Sequence, residues 1–247
     1  METLKQNTKK TTRVKRTDDL LNKLDLLTKS VDRLTNTYSN ANGTQKNGCR
    51  IKIKDKIINS GVYGTILTLP HIACVIEKMI LAEKNSYNFI GVERDEATFN
   101  AMRRTIKAEK LPIMAYKGSI CDKIYGMERE TYGHLILDYC GFLATISKEI
   151  QYTLQNKLVP VNGTIHITFA KNFRGYNHLH DKIRTNTKVT NGNTDLRCES
   201  EVSIRTFFDK VCGFDYELEE IFYYRDKDLE TGKNKAPMCL VQIKRIA

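Results

Sequence analysis

From Arg50 onward, short apolar runs alternate with amphipathic stretches, and that rhythm limits the possible folds more than any other feature of the chain. Gly64–Leu69 is a β-rich run ended by Pro70. His71–Lys84 has helical spacing, with Ile72, Val75, Ile76 and Met79 on one face. Tyr87–Val92 reads as a strand ending in Glu93. Asp95–Lys110 reads as a helix capped by Asp95 and stopped before Pro112. Pro112–Tyr116 is a third strand, leading into Lys117, Gly118 and Ser119, and His134–Leu137 is a fourth, leading into Asp138. A helix over Leu143–Leu158, a turn at Pro160–Gly163 and a fifth strand at Thr164–Phe169 complete the rhythm. Repeated strand–helix units with short apolar strands predict a parallel sheet covered on both faces.

The end of the chain departs from this pattern. A helix is expected over Glu201–Val211, then strands at Phe214–Tyr224 and Met238–Ile246. Only the polar stretch Arg225–Pro237 lies between those strands, without a helical pattern, so they should pair as an antiparallel hairpin.

Charge is concentrated in the first quarter of the chain. Of 40 Lys and Arg and 29 Asp and Glu, residues 1–60 hold 14 and 6, and the rest hold 26 and 23. Residues 1–17 are polar, basic and Thr-rich and read as a disordered tail. Residues 18–49 are expected to hold a helix and a linker. Leu20, Leu24, Leu27, Val31 and Leu34 form a two-heptad seam suited to the main domain, a protein partner or a second copy, and Ser39–Gly48 has linker composition. Residues 50–247 form the main domain. A second basic cluster contains Lys171, Arg174, Lys182, Arg184 and Lys188. Such patches attract polyanions, nucleic acid above all. Lys52, Lys54, Lys171 and Arg174 are the expected nucleic-acid contacts; a merely solvated surface reflecting an AT-rich genome, as in many viruses, is the alternative for the charge.

No apolar run approaches the roughly 20 residues of a membrane span, and the start lacks a secretory core. Seven cysteines at irregular spacing, with no C-x-x-C, fit reduced thiols in a cytoplasmic setting, the host cytoplasm for a viral protein. His178-x-His180 is the only closely spaced His pair and reads as solvated loop residues, so no metal site is expected.

In an open parallel sheet, ligands lie beyond the carboxyl ends of the strands. The candidate residues are therefore Leu69, Pro70 and His71, then Glu93 and Arg94, then Ser119, Ile120 and Asp122, then Asp138 and Tyr139, then Lys171. A carboxylate at position 93 can accept two vicinal hydroxyls, and a short polar group near Ser119 can reach an adenine edge. Asp138 can orient a nucleophile and Tyr139 can stack on a flat substrate. Cys140 reads as a nucleophile or, more simply, as a small buried residue.

The order strand–Glu93, strand–Gly118–Ser119, strand–Asp138–Tyr139–Cys140–Gly141, then Val161–Thr164 and a closing hairpin resembles the class I S-adenosylmethionine-dependent methyltransferases over residues 50–247. The resemblance implies a Rossmann-like α/β fold, with a mostly parallel seven-stranded sheet, helices on both faces and a C-terminal antiparallel hairpin. It also implies S-adenosylmethionine as cofactor, with Glu93 on its ribose, the loop Gly118–Asp122 near its adenine and Asp138–Gly141 facing the methyl group. The function it suggests is methyl transfer to nucleic acid; the alternative is an inactive relative that binds nucleic acid or a protein. Two departures stand out. Thr68–Ala73 contains no glycine where the family has a glycine-rich loop, and Asp138–Gly141 contains no proline. A ribose 2′-O-methyltransferase would carry a Lys-Asp-Lys-Glu set. Asp138, Lys171 and Glu217 or Glu219 fall in place for it, with Lys54 or Lys56 as the first lysine.

Overall fold

A computed structural model describes residues 44–170, 201–225 and 237–247. Its strands are β1 (Thr65–Thr68), β2 (Asn88–Glu93), β3 (Ile113–Lys117), β4 (His134–Phe142), β5 (Thr164–Ala170), β6 (Tyr216–Tyr224) and β7 (Met238–Arg245). They form one sheet in the order β3-β2-β1-β4-β5-β7-β6. Only β7 runs against the others, paired antiparallel to β5 on one side and β6 on the other. The expected fold class is present, hairpin included. The basic tail 1–17, the Leu20–Leu34 seam and the cluster around Lys171, Arg174 and His178-x-His180 lie outside the described residues, as does the side chain of Cys140.

Alternation along the strands divides the core in two. Leu67, Val92, Leu135, Leu137, Ile165 and Ile167 point to one face, where α4 (Cys121–Ile124), α5 (Leu143–Gln155) and α6 (Glu201–Cys212) cover them. Ile66, Phe89, Ile136 and Leu240 point to the other, under α1 (Thr44–Asn59), α2 (Val75–Glu83) and α3 (Glu96–Ala108). Both faces of β5 are buried along its whole length: Ile165, Ile167 and Phe169 are apolar on one face, while Thr164, His166 and Thr168 on the other are buried with hydrogen-bond partners.

Four local readings need correction. Residues 44–48, taken as linker from composition, are the first turn of α1, so this helix crosses the expected boundary at residue 49. Cys49, Ile53 and Ile57 are its buried stripe at four-residue steps. The repeat Ile51-Lys-Ile-Lys54 alternates with period two and masks that stripe. The helix expected from His71 begins only at Val75, because Cys74 is left-handed (φ 46°) and interrupts it. The four-residue α4 was not expected at all. Finally, β4 does not stop at Leu137. It continues to Phe142 through a register shift between Asp138 and Phe142, so Asp138–Gly141 lies inside the strand, not after it.

Candidate functional site

Asp138 stands where β4 begins its irregularity, opposite Thr168 of β5. Its Oδ1 accepts a short hydrogen bond from the Thr168 hydroxyl. Its Oδ2 lies 3.0 Å from the Lys46 ammonium, on the first turn of α1. Burial pushes this carboxyl up, but Lys46, Thr168 and nearby Arg50 outweigh it and hold it below the usual carboxylate range. Tyr139 points through the opposite face of the sheet, as alternation demands. It packs against the core beneath α4 and α5 and lies near Glu149, Cys121 and Tyr125, with its hydroxyl buried and unpartnered. Burial pushes that phenol up. Asp138 and Tyr139 therefore belong to different surfaces, and the expected stacking role finds no support in Tyr139's position.

Next to Asp138 lies the connection from β1 to α2. Leu69 N donates to Ile136 O at 3.0 Å, which ties the loop to β4. Pro70 is buried against β2; a Cβ at Gly91 would sit 2.9 Å from Pro70 Cγ and 3.2 Å from Ile113 Cγ2. His71 folds back on its own loop, its Nδ1 accepting from Ala73 N at 3.2 Å. The missing glycines are thus replaced by a proline lying on a glycine of the neighbouring strand. Gly91→Ala should push this loop outward and lower stability by about 1–3 kcal/mol, the usual cost of overpacking, read as a lower midpoint in thermal unfolding.

The ends of β2 and β3 adjoin each other. Gly118 N donates to Glu93 O at 3.1 Å. The Glu93 carboxylate is half-buried and held at the strand end by Asp95 N, which donates to Oε1 at 2.7 Å. Asp95 in turn caps α3, accepting from Thr98 N at 3.0 Å. Ser119 N donates to Asp122 at 2.9 Å, and a side chain at Gly118 would collide with Tyr116 and Asp122, which keeps that turn tight. Arg94 and Ser119 are exposed and Ile120 is buried.

The expected basic contacts on α1 are engaged inside the fold. Lys52 pairs with Glu220 at 2.6 Å and lies over the Phe222 ring, and Lys54 pairs with Asp55 and Glu83. Lys56 pairs with Glu219 at 3.1 Å, ten residues along α1 from Lys46, or roughly 15 Å at helical rise. Lys54, Lys56 and Glu219 are thus held in ion pairs that do not include Asp138. The lysine that meets Asp138 is Lys46, which lay hidden in a stretch of Asn, Gly, Thr and Gln.

A seven-stranded sheet whose last strand alone is reversed, with an acid at the end of β2, is what the resemblance implied. The chain has the class I methyltransferase fold. No protein family and no curated protein matches its sequence. Among solved structures it is similar to a candidate O-methyltransferase from Klebsiella pneumoniae, at 7% identity and TM-score 0.49 over 88% of this chain and 90% of that one. It is also similar to a candidate rRNA methylase from Clostridium thermocellum, at 11% identity and TM-score 0.48 over 79% and 94%. The methyltransferase domain of a bacterial Hen1 protein matches at 13% identity and TM-score 0.48 over 80% and 97%. Identities this low carry nothing about chemistry, and the fold assignment rests on strand order and direction. No helix among the described residues is long and apolar enough to cross a membrane.

Proposed function

We propose that this chain is an S-adenosylmethionine-dependent methyltransferase acting on nucleic acid, with a ribose hydroxyl as acceptor. The observation that carries the reading is the Lys46–Asp138 pair at the carboxyl edge of the sheet. The cofactor, when bound, supplies an activated methyl group that needs little acid–base help. The protein must hold an oxygen in line with it. Asp138, fixed by Thr168, can accept the hydroxyl's hydrogen bond and orient the oxygen. Lys46 supplies positive charge where negative charge develops on that oxygen. The hydroxyl proton leaves toward the Asp138 carboxylate and then to solvent. An exocyclic amine acceptor would gain nothing from an ammonium at that place.

Glu93 and the turn Gly118–Asp122 fit the nucleoside end of such a cofactor. They offer a fixed carboxylate beside a tight turn that excludes side chains. Arg94, Ile120 and the Leu69–His71 loop would flank it. Lys171 directly follows Ala170, the end of β5, and with Arg174 would meet phosphate. The net charge of +11 supports a polyanionic partner.

Transfer of labelled methyl groups to matched RNA and DNA oligonucleotides tests the reading. Label is expected in RNA and absent from its 2′-deoxy counterpart. Nucleic-acid affinity should fall steeply between about 50 and 200 mM salt. Titration without detectable cofactor binding at millimolar concentration would sink the enzyme reading. A binding protein built on the same fold, which the glycine-free loop favours, would then replace it.

A further inference from the structure

Helix α3 carries its charge unevenly. Asp95 and Glu96 stand at its start, and Lys117 pairs with Glu96. From Ala97 to Lys110 the sequence has one acid, Glu109, whose carboxylate lies 3.0 Å from the Lys78 ammonium. Four cations share this stretch: Arg103, Arg104, Lys107 and Lys110, all exposed. Phe99 and Met102 hold the opposite side of the helix in the core. Arg103 lies over the Phe99 ring at 5.7 Å. The side chains of Arg104, Lys107 and Lys110 have no ion pair, hydrogen bond or ring contact among the described residues. That sets them apart from Lys52, Lys54 and Lys56 of α1, which acids of β6 and α2 engage.

Two local penalties accompany this row. Arg104 and Lys107 are three residues apart and Arg103 and Lys107 four, and like charges at those spacings repel on a helix. Lys110 closes the helix in the left-handed conformation, at φ 52°. Leu111 N donates to Ile106 O at 3.0 Å and Lys110 N to Lys107 O at 3.4 Å, an ending that favours glycine at position 110. Two other charged residues with positive φ are in ion pairs, Glu130 with Arg245 and Lys157 with Asp215. The helix dipole favours Lys107 in the last turn, but it does not call for a lysine where glycine would close the helix better.

We propose that Arg104, Lys107 and Lys110, with Arg103 beside them, bind the phosphodiester backbone of a nucleic-acid strand outside the candidate site. The proposal rests on the nucleic-acid reading above. A row of phosphates would offset the mutual repulsion of the cations. The exposed face of α3 offers no aromatic side chain on which a base could stack, so binding there is independent of sequence. The helix runs for roughly 20 Å from the end of β2 toward the opposite edge of the sheet, so a strand lying along it extends well beyond the candidate site.

Titration of the full chain with RNA and DNA strands of about 20 nucleotides and unrelated sequence, between about 50 and 200 mM salt, tests this. Arg104→Gln combined with Lys107→Gln should weaken binding about tenfold or more at the lower salt. It should also reduce the slope of log affinity against log salt by about 1.4, at about 0.7 per phosphate contact on a single strand. The loss should be the same for RNA and DNA and for every sequence. Lys148→Gln combined with Arg205→Gln removes two exposed, unpaired cations from α5 and α6 on the other side of the sheet, and should leave the slope unchanged. Lys110→Gly should raise the midpoint of thermal unfolding by roughly 2 °C while lowering the slope by about 0.7, which separates lost binding from lost folding. Equal losses from the two paired variants, or none from the α3 pair, overturn the inference, as does undiminished binding by Lys110→Gly. A wild-type chain that binds neither strand fails the nucleic-acid reading and the inference together. Binding that depends on α3 without methyl transfer fails only the choice of acceptor.

Discussion

Asp138→Asn is expected to lower methyl transfer by about 100-fold or more while cofactor affinity changes by no more than about twofold. The amide keeps the shape of the carboxylate, so packing is preserved. It still accepts from Thr168 but no longer attracts Lys46 or takes up a proton. What is lost is the orientation of the acceptor oxygen and the route for its proton, and effects of that kind reach this size when a reacting atom is misplaced by an ångström. Lys46 is partly exposed, so without the Asp138 charge its ammonium can turn toward water, and the fold should lose little stability. Lys46→Met should damage the same step, and the double variant should be barely worse than Asp138→Asn, as for groups acting as a unit. Single-turnover transfer to RNA at saturating cofactor measures this. Near-normal transfer by Asp138→Asn would remove Asp138 from the chemistry.

Acidification should destabilise the fold by about 3 kcal/mol between pH 7 and pH 4 through His134 alone. This imidazole is buried at the start of β4, and burial pushes its pKa down to about 4. Thr164 N donates to Nδ1 at 3.1 Å, which leaves the proton on Nε2, 3.1 Å from Val62 O. A second proton on Nδ1 would face that N–H and would have to turn the Thr164 hydroxyl, 2.8 Å away, into its acceptor, in a site from which water is excluded. The unfolded imidazole titrates near 6.5, so between about 6.5 and 4 the unfolded chain takes up a proton that the folded chain refuses. Stability is therefore complete above the unfolded value and drains away as pH falls toward the folded one. At about 1.4 kcal/mol per pH unit, two and a half units would give about 3.5 kcal/mol; at pH 4 the folded imidazole is itself half protonated, which leaves about 3 kcal/mol. His166 adds to the loss. Burial, with His134 and Lys56 nearby, holds it well below the ordinary range, and it is bound to Thr164 Oγ1 at 2.8 Å and to the Gln242 amide at 3.1 Å. Asp138 has the same sign but acts lower, below the ordinary aspartate value. Urea unfolding at pH 7 and pH 4.5 on the parent and on His134→Asn checks this. The variant should be weaker at pH 7 and show a flatter slope. Parallel slopes would show that His134 is not the group responsible.

The strands were legible because a central parallel strand is buried on both faces. Runs such as Leu135-Ile-Leu137, and the alternating Ile165, Ile167 and Phe169, fit such buried strands and are bounded by turn signals. The hairpin was legible from the missing crossover helix. Glu93 and Asp138 could be singled out because both follow apolar runs, and the strand-end rule needs only the order of elements. Helix α1 was not legible. Its apolar stripe is three residues wide and its lysines alternate with isoleucines, so only its docking on the sheet, through Lys52–Glu220 and Lys56–Glu219, reveals it as a helix.

Sequence alone determined the layered α/β architecture and the acid at the end of β2, because burial pattern and chain order are local properties; that Asp138 lies within β4 emerged only from the strand pairing. Tertiary structure alone decided which lysine meets Asp138 and which face Tyr139 takes. Each depends on where separate elements cross in space, and side-chain distances between them follow from packing that no spacing along the chain encodes.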